Sequence, residues 1–260
     1  MKFTQFTLTT GLLLAISSPA LAADITVGAN FGNVPWEFVD KDNNQVGFEV
    51  DLTKEIAKRL DKSVEFQSIP FNGLFSAVQS GRIDIAISSI TITPKRLKSV
   101  AFAQPYYDSD QSLTTRSKNG VSGLADLDGK IVGVDTGSTG DMWISVREAE
   151  YKIKTISRYE GLAPAMLDLQ TGRIDAYISD IPALQYYIKD KKQFSIAERI
   201  ATGEKYSMMF AQNTPLQAEV NTVITELKSE GYIAKIHKKW FGFDAPETSS
   251  TVEKREIPTP

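Results

Sequence analysis

Apolar and polar positions along the chain change period in a repeated order. Residues 24–29 read as a strand and residues 49–60 as an amphipathic helix, followed by a strand over 63–69, a helix over 74–80 and a strand over 83–87. After an extended segment near 109–116 the pattern restarts with strand 130–134, helix 141–150, strand 152–157, helix 161–170, strand 174–178 and helix 182–189. A strand over 206–211 and two helices within 215–240 complete it. Strand–helix alternation implies mainly parallel sheets flanked by helices, and the restart implies two lobes. The expected class is therefore α/β. Residues 23–112 and 207–244 are expected to form a discontinuous lobe one and 113–206 lobe two, with two crossover strands as the hinge.

The two halves share a unit. Gln79-Ser-Gly-Arg-Ile-Asp-Ile-Ala-Ile-Ser-Ser-Ile90 returns as Gln170-Thr-Gly-Arg-Ile-Asp-Ala-Tyr-Ile-Ser-Asp-Ile181, identical at eight of twelve positions. In each copy a glycine closes a helix, an apolar strand follows, and a polar pair ends the strand. Ligands of open α/β sheets gather outside the carboxyl ends of the strands, so Ser88-Ser89 and Ser179-Asp180 are expected to face one small polar molecule between closing lobes.

Lys2, the apolar run at 11–16 and Pro19-Ala-Leu-Ala22 predict a secretory signal peptide over residues 1–22, because the apolar core falls short of the ~20 residues that span a bilayer. The chain has no cysteine, which removes both a lipid-anchor site and disulfides and points to the periplasm of a Gram-negative bacterium. A formal net charge of −3 without a basic cluster argues against nucleic acid or anionic membrane as partner. Residues 245–260, rich in Thr, Ser, Pro and Glu, predict a disordered tail. The single histidine, His237, is expected on a solvated helix face, and with no cysteine beside it neither a metal site, a histidine-based triad nor a cofactor is expected. Trp36, Trp143 and Trp240 read as packing anchors, and the protein as a monomer.

The candidate chemistry centres on Ser88-Ser-Ile-Thr-Ile-Thr-Pro-Lys-Arg96. Thr93 and Pro94 start a helix, which puts Arg96 in a first turn where the helix dipole disfavours a cation. A bound carboxylate compensates, gripped by two parallel hydrogen bonds from the guanidinium. The alternative is a solvated surface arginine; the position directly after the repeat strand favours the clamp. Val134-Asp-Thr-Gly-Ser-Thr-Gly140 is a second candidate anion site, with Ser138 and Thr139 hydroxyls and backbone N–H groups at a strand-to-helix turn, although most such turns bind nothing. Asp180 either receives an ammonium group or caps the helix that follows it, and the two roles are compatible. Arg96 with Asp180 specifies a zwitterion, for which an α-amino acid is the natural candidate.

With Val34-Pro-Trp-Glu-Phe38, Val46-Gly-Phe-Glu-Val-Asp-Leu52, Phe102-Ala-Gln-Pro-Tyr-Tyr107, Leu127-Asp-Gly-Lys130, Gly172-Arg-Ile-Asp175 and Lys238-Lys-Trp-Phe-Gly242 in the same order and spacing, the chain resembles the periplasmic solute-binding proteins of polar amino acid ABC transporters from about Asp24 to Phe241. The resemblance implies a membrane permease as partner. It also implies that Arg96 clamps the α-carboxylate, Asp180 takes the α-ammonium, Ser88, Ser89, Thr91 and Thr139 add hydrogen bonds, and Phe71 stacks on the ligand side chain. Asn30 and Asn33 stand where relatives often carry an acid and an aromatic. Asp135 is either a compensating acid that reads a cationic side chain or a solvated loop residue. The expectation is a binding protein for a polar or cationic amino acid; the alternative is an exported cyclohexadienyl dehydratase on the same fold, with Asp180 or Asp135 as its acid.

Overall fold

The computed structural model describes residues 23–260, so the signal peptide expected at 1–22 lies outside the described residues. In chain order, the first elements are β1 Ile25–Ala29, β2 Phe38–Val39, β3 Gln45–Val46, α1 Phe48–Arg59, β4 Val64–Ser68, α2 Phe71–Gln79, β5 Ile85–Ile87, α3 Pro94–Leu97 and β6 Ala101–Phe102. The long strand β7 Tyr107–Arg116 leads to β8 Ile131–Asp135, α4 Thr139–Ser145, β9 Thr155–Tyr159, α5 Leu162–Thr171, β10 Ala176–Asp180 and α6 Ile181–Ile188. The second long strand, β11 Phe194–Tyr206, returns to β12 Met209–Phe210, α7 Pro215–Ser229 and α8 Tyr232–Phe241.

Two five-stranded sheets result, ordered β4-β1-β5-β12-β6 and β11-β7-β10-β8-β9. Three strands in each run parallel, as helix crossovers require. The others pair antiparallel: β12 joins β5 and β6 in one sheet, and β7 and β11 run the length of the other. Strand β11 departs most from the expected pattern, since residues 194–205 were not expected to be extended and Tyr206 closes this strand rather than opening the next. Its register against β7 slips between Ile200 and Glu204, a bulge that swings Glu204 to a buried position.

Trp36 organises the lobe-one core. Fully buried, its ring meets Phe48, Tyr107, Tyr206 and Phe241 at centroid distances of 5.6, 4.5, 5.4 and 4.9 Å. Both hinge strands thus end against one indole, which ties their geometry to the packing of α1 and α8.

Three expectations need correction. His237 is buried rather than solvated, with Nδ1 at 3.0 Å from the Phe243 carbonyl and its ring against Tyr107 and Phe241, because it lies on the inner face of α8. The helix expected over 141–150 stops at Ser145, and Arg147 folds back over the Trp143 ring and bonds its carbonyl. The tail expected to be disordered is packed, with Ser249, Ser250 and Thr251 buried. Its apolar content is low, but it supplies polar partners to the lobe-one end of the hinge. Asp108 accepts from Ser250 N–H at 2.7 Å and from its hydroxyl at 2.5 Å, and Thr251 Oγ1 donates to the Tyr106 carbonyl at 3.0 Å. The buried Lys228 ammonium donates to Gln104 Oε1, the Pro105 carbonyl and the Glu253 carbonyl at 2.9, 2.7 and 2.9 Å. Burial pushes its pKa down to about 7. Among the described residues no helix is long and apolar enough to cross a membrane.

Deleting residues 245–260 removes several buried hydrogen bonds worth ~1 kcal/mol each and leaves Lys228 short of an acceptor. With ~2–4 °C per kcal/mol for a chain of this size, calorimetry should show the melting temperature falling by roughly 5–10 °C. An unchanged melting temperature would mean the tail contributes nothing.

Candidate ligand-binding cleft

The carboxyl ends of β1, β5, β8 and β10 meet at a cavity of about 230 Å³ between the sheets, below the ~300–1,000 Å³ of drug-sized ligand sites and therefore suited to a small molecule. All eleven residues singled out in the sequence line it: Asn30, Asn33, Phe71, Ser88, Ser89, Thr91 and Arg96 from lobe one, and Asp135, Ser138, Thr139 and Asp180 from lobe two.

Arg96 sits where the sequence places it, in the first turn of α3, with Thr93 Oγ1 accepting its N–H at 3.1 Å and Pro94 at the helix start. Its side chain is 6 % exposed, not solvated. One face of the guanidinium lies over the Phe71 and Phe75 rings, with Cζ 5.5 and 5.0 Å from their centroids. Nη1 donates to the Thr91 carbonyl at 2.7 Å, and Nη2 reaches the Gly137 carbonyl of lobe two at 3.2 Å. Among the described residues no carboxylate lies within ion-pair distance of it. Burial pulls its pKa down to about 10, against the pull of Glu204 and Asp180. A buried cation held only by carbonyls and aromatic faces is a site for an anion.

Across from it, the turn 136–138 is tighter than expected. The N–H groups of Thr136, Gly137 and Ser138 are donated to the Tyr159 carbonyl, Asp141 Oδ2 and the Asp135 carbonyl, and Ser138 Oγ caps α4 by accepting from Asp141 N–H at 3.0 Å. The first-turn N–H groups of Thr139 and Gly140 have no partner among the described residues, and Thr139 lines the cavity. Thr139 Oγ1 accepts from Gln111 Nε2 at 3.3 Å, which leaves its own O–H to donate.

Asp180 ends β10 and does not cap α6 with its side chain. Instead its carboxylate takes the Ser89 hydroxyl at 3.1 Å and the Gln111 amide at 2.5 Å. Gln111 Nε2 also approaches Glu204 Oε1 at 3.0 Å, and Glu204 Oε2 accepts the Thr91 hydroxyl at 2.6 Å. Burial, reinforced by the charge of Glu204, pushes the Asp180 carboxyl up to about 7. An acid in this state favours a cationic partner.

Asp135, the last residue of β8, is half-buried in the cavity wall rather than in a solvated loop. Its Oδ2 accepts from Tyr177 at 2.6 Å and Ser179 at 3.2 Å, Oδ1 has no partner, and burial lifts its pKa to about 6. Other hydroxyls turn inward: Ser88 donates to Glu37 at 2.6 Å and Thr91 to Glu204, so both shape the wall more than they offer donors. Asn33 Nδ2 donates to Ser89 Oγ at 3.1 Å.

Sequence reading missed Gln111 and Glu204, polar residues on hinge strands with no motif to mark them. It also missed Glu160, an acid at the cavity mouth whose only signal is its place before Gly161 at the start of α5.

The sequence profile of the bacterial extracellular solute-binding proteins, family 3, matches residues 25–243. The chain is 33% identical to the putative amino-acid ABC transporter-binding protein PatH of Vibrio harveyi, covering 90% of this chain and 94% of that one. It is 30% identical to the ABC transporter arginine-binding protein 1 of Escherichia coli, over 85% and 96%. The solved arginine-, lysine-, histidine-binding protein ArtJ of Geobacillus stearothermophilus superposes with a TM-score of 0.78 at 30% identity, over 86% and 97%. With the profile spanning both lobes and the cleft between them, the chain belongs to the bacterial extracellular solute-binding proteins, family 3.

Proposed function

We propose that the protein captures an L-amino acid with a cationic side chain and delivers it to the membrane permease of an ABC importer. It is a binding component of amino acid transport rather than an enzyme, as its family and relatives are, and the dehydratase alternative falls away. The observation that carries the ligand reading is the buried Arg96, without an ion-pair partner among the described residues, lining one cavity with Thr139 and Asp180. Arg96 and the α4 amides take the α-carboxylate, and Asp180 with Ser89 takes the α-ammonium. An α-amino group and carboxylate alone balance Arg96 against Asp180. Asp135, with Oδ1 unpartnered among the described residues, would then face the cavity uncompensated, so a second positive charge on the ligand side chain completes the balance. Phe71 lines the wall along which that side chain extends. The family's description as extracellular and the signal-like residues 1–22 support a periplasmic protein freed from its signal peptide.

Replacing Arg96 by alanine removes a charge-assisted contact in a desolvated cleft, a loss of ~2–5 kcal/mol in affinity. Titration calorimetry with arginine should find binding abolished in an intact fold; affinity within about twofold of the parent would sink the assignment.

Asp135→Asn should weaken arginine and lysine far more than glutamine, since the carboxylate and ammonium contacts are common to all three. A uniform loss, or none, would return Asp135 to a structural role and leave a neutral polar amino acid as the better ligand.

Asp180 sets the pH dependence. In the empty cleft its raised pKa keeps it largely protonated below about pH 7, while a bound ammonium favours the carboxylate. Binding therefore expels a proton, and affinity should fall as pH drops through 7 towards 5. Calorimetry in two buffers of different ionisation heat measures the proton count; proton uptake on binding at pH 6.5 would contradict this role for Asp180.

A further inference from the structure

Behind the ligand-facing serines lie two glutamates that the binding role does not use. Glu37 and Glu49 are both fully buried, and among the described residues neither makes an ion pair. They come together because Gly47 allows it. At φ 137°, a Cβ there would lie 2.2 Å from the Trp36 carbonyl oxygen, so only glycine lets residues 47–49 press against 36–37. Phe48 N–H then bonds the Pro35 carbonyl at 2.9 Å and Glu49 N–H the Trp36 carbonyl at 3.0 Å, which turns the two carboxyl groups onto the consecutive residues Ser88 and Ser89.

Their partners divide the pair into two roles. Glu49 receives the Ser89 N–H on both oxygens at 3.0 and 3.1 Å, together with the Tyr106 hydroxyl. The Ser89 N–H, which can only donate, contacts both oxygens, and this favours Glu49 as the anion. Glu37 Oε1 accepts from Ser88 Oγ, and Oε2 has no other partner, which leaves it free to carry a proton towards Glu49. Ser89 stands at φ 45°, a left-handed conformation unusual for serine, and the bifurcated grip of Glu49 on its N–H holds it there. From that position Ser89 Oγ reaches Asp180 in the other lobe.

We propose that Glu37 and Glu49 share one proton and act as a positioning pair, with Glu37 anchoring the inward-turned Ser88 hydroxyl and Glu49 fixing the Ser89 backbone in the geometry that meets the ligand. Burial and the neighbouring Glu49 both hold the Glu37 carboxyl well above the usual range, and burial raises Glu49 as well. Tyr106 is the other titratable group against the pair; His237 packs on Phe48 and Tyr107 instead. The inference rests on reading Ser88 and Ser89 as part of the amino acid site.

Glu37→Gln preserves both functions, since its amide oxygen accepts from Ser88 and its NH2 donates to Glu49. Arginine affinity should stay within about threefold of the parent. Glu49→Gln keeps one oxygen for the Ser89 N–H and the Tyr106 hydroxyl but exchanges the anion that grips them for a neutral amide and moves the charge to Glu37, so affinity should fall about tenfold or more with the fold intact. Carboxyl carbon NMR of glutamate-labelled protein at pH 7 should show one protonated glutamic acid that disappears in Glu37→Gln. Two ionised carboxyls, a Glu37→Gln variant as weak as Glu49→Gln, or a Glu49→Gln variant as strong as the parent would each overturn the pair. Should Glu49→Gln not fold, the unliganded parent decides: the Ser89 amide is expected to resist hydrogen exchange, and exchange at the rate of an exposed loop overturns the positioning role. A parent that binds no arginine sinks the proposed ligand and leaves both NMR readouts to decide this inference.

Discussion

A guanidinium sealed between two lobes, with no carboxylate among the described residues to pair it, is the constraint from which the rest of the cleft follows. Taking Arg96 out of water costs several kcal/mol unless charge comes to meet it, and the protein supplies only carbonyls and the faces of Phe71 and Phe75. The nearest acids, Asp180 and Glu204, are held off on Gln111, Ser89 and Thr91. If either collapsed onto Arg96 the site would neutralise itself. The polar network is therefore arranged to keep opposite charges near but apart, and a zwitterion is the object that satisfies both ends at once.

That arrangement depends on the hinge strands as much as on the lobes. Gln111 on β7 holds Asp180 and also donates to Glu204 on β11, and Glu204 reaches Gln111 and Thr91 where the register of β11 slips between Ile200 and Glu204. The hinge therefore backs the site's wall from behind, through Asp180, Thr139 and Thr91. Among the described residues two hydrogen bonds cross the cleft directly, from Ser89 to Asp180 and from Arg96 to the Gly137 carbonyl, and Ser89, Asp180 and Arg96 all line the cavity. Closure and ligand recognition thus use the same side chains, which couples the position of the lobes to occupancy.

Local patterns in the sequence carried the lobes, the repeat and the strand ends, because a strand end in an α/β sheet has a fixed relation to the cleft. Arg96 was legible through Thr93-Pro94, and Asp180 through its register with Ser89 in the repeated unit. Gln111, Glu204 and Glu160 were not, since their placement comes from strand pairing, a bulge and the approach of a second lobe, none of which leaves a local mark. His237 was misread for a related reason: one histidine among lysines looks solvated until α8 is docked, and the docking decides which face turns inward.

The tail makes the same point from the opposite side. Composition identifies disorder when a segment has too little apolar surface to offset its ordering entropy, and residues 245–260 meet that description. Ordering can also be driven by polar groups that would otherwise be buried without partners. Lys228 is 5 % exposed and Asp108 is partly buried, and Glu253 and Ser250 are among the groups that satisfy them. Leaving such groups unpaired costs ~1–3 kcal/mol each, comparable to the burial of an aliphatic side chain. The demand for order therefore originates in α7 and β7, and a composition read on the tail alone has no access to it.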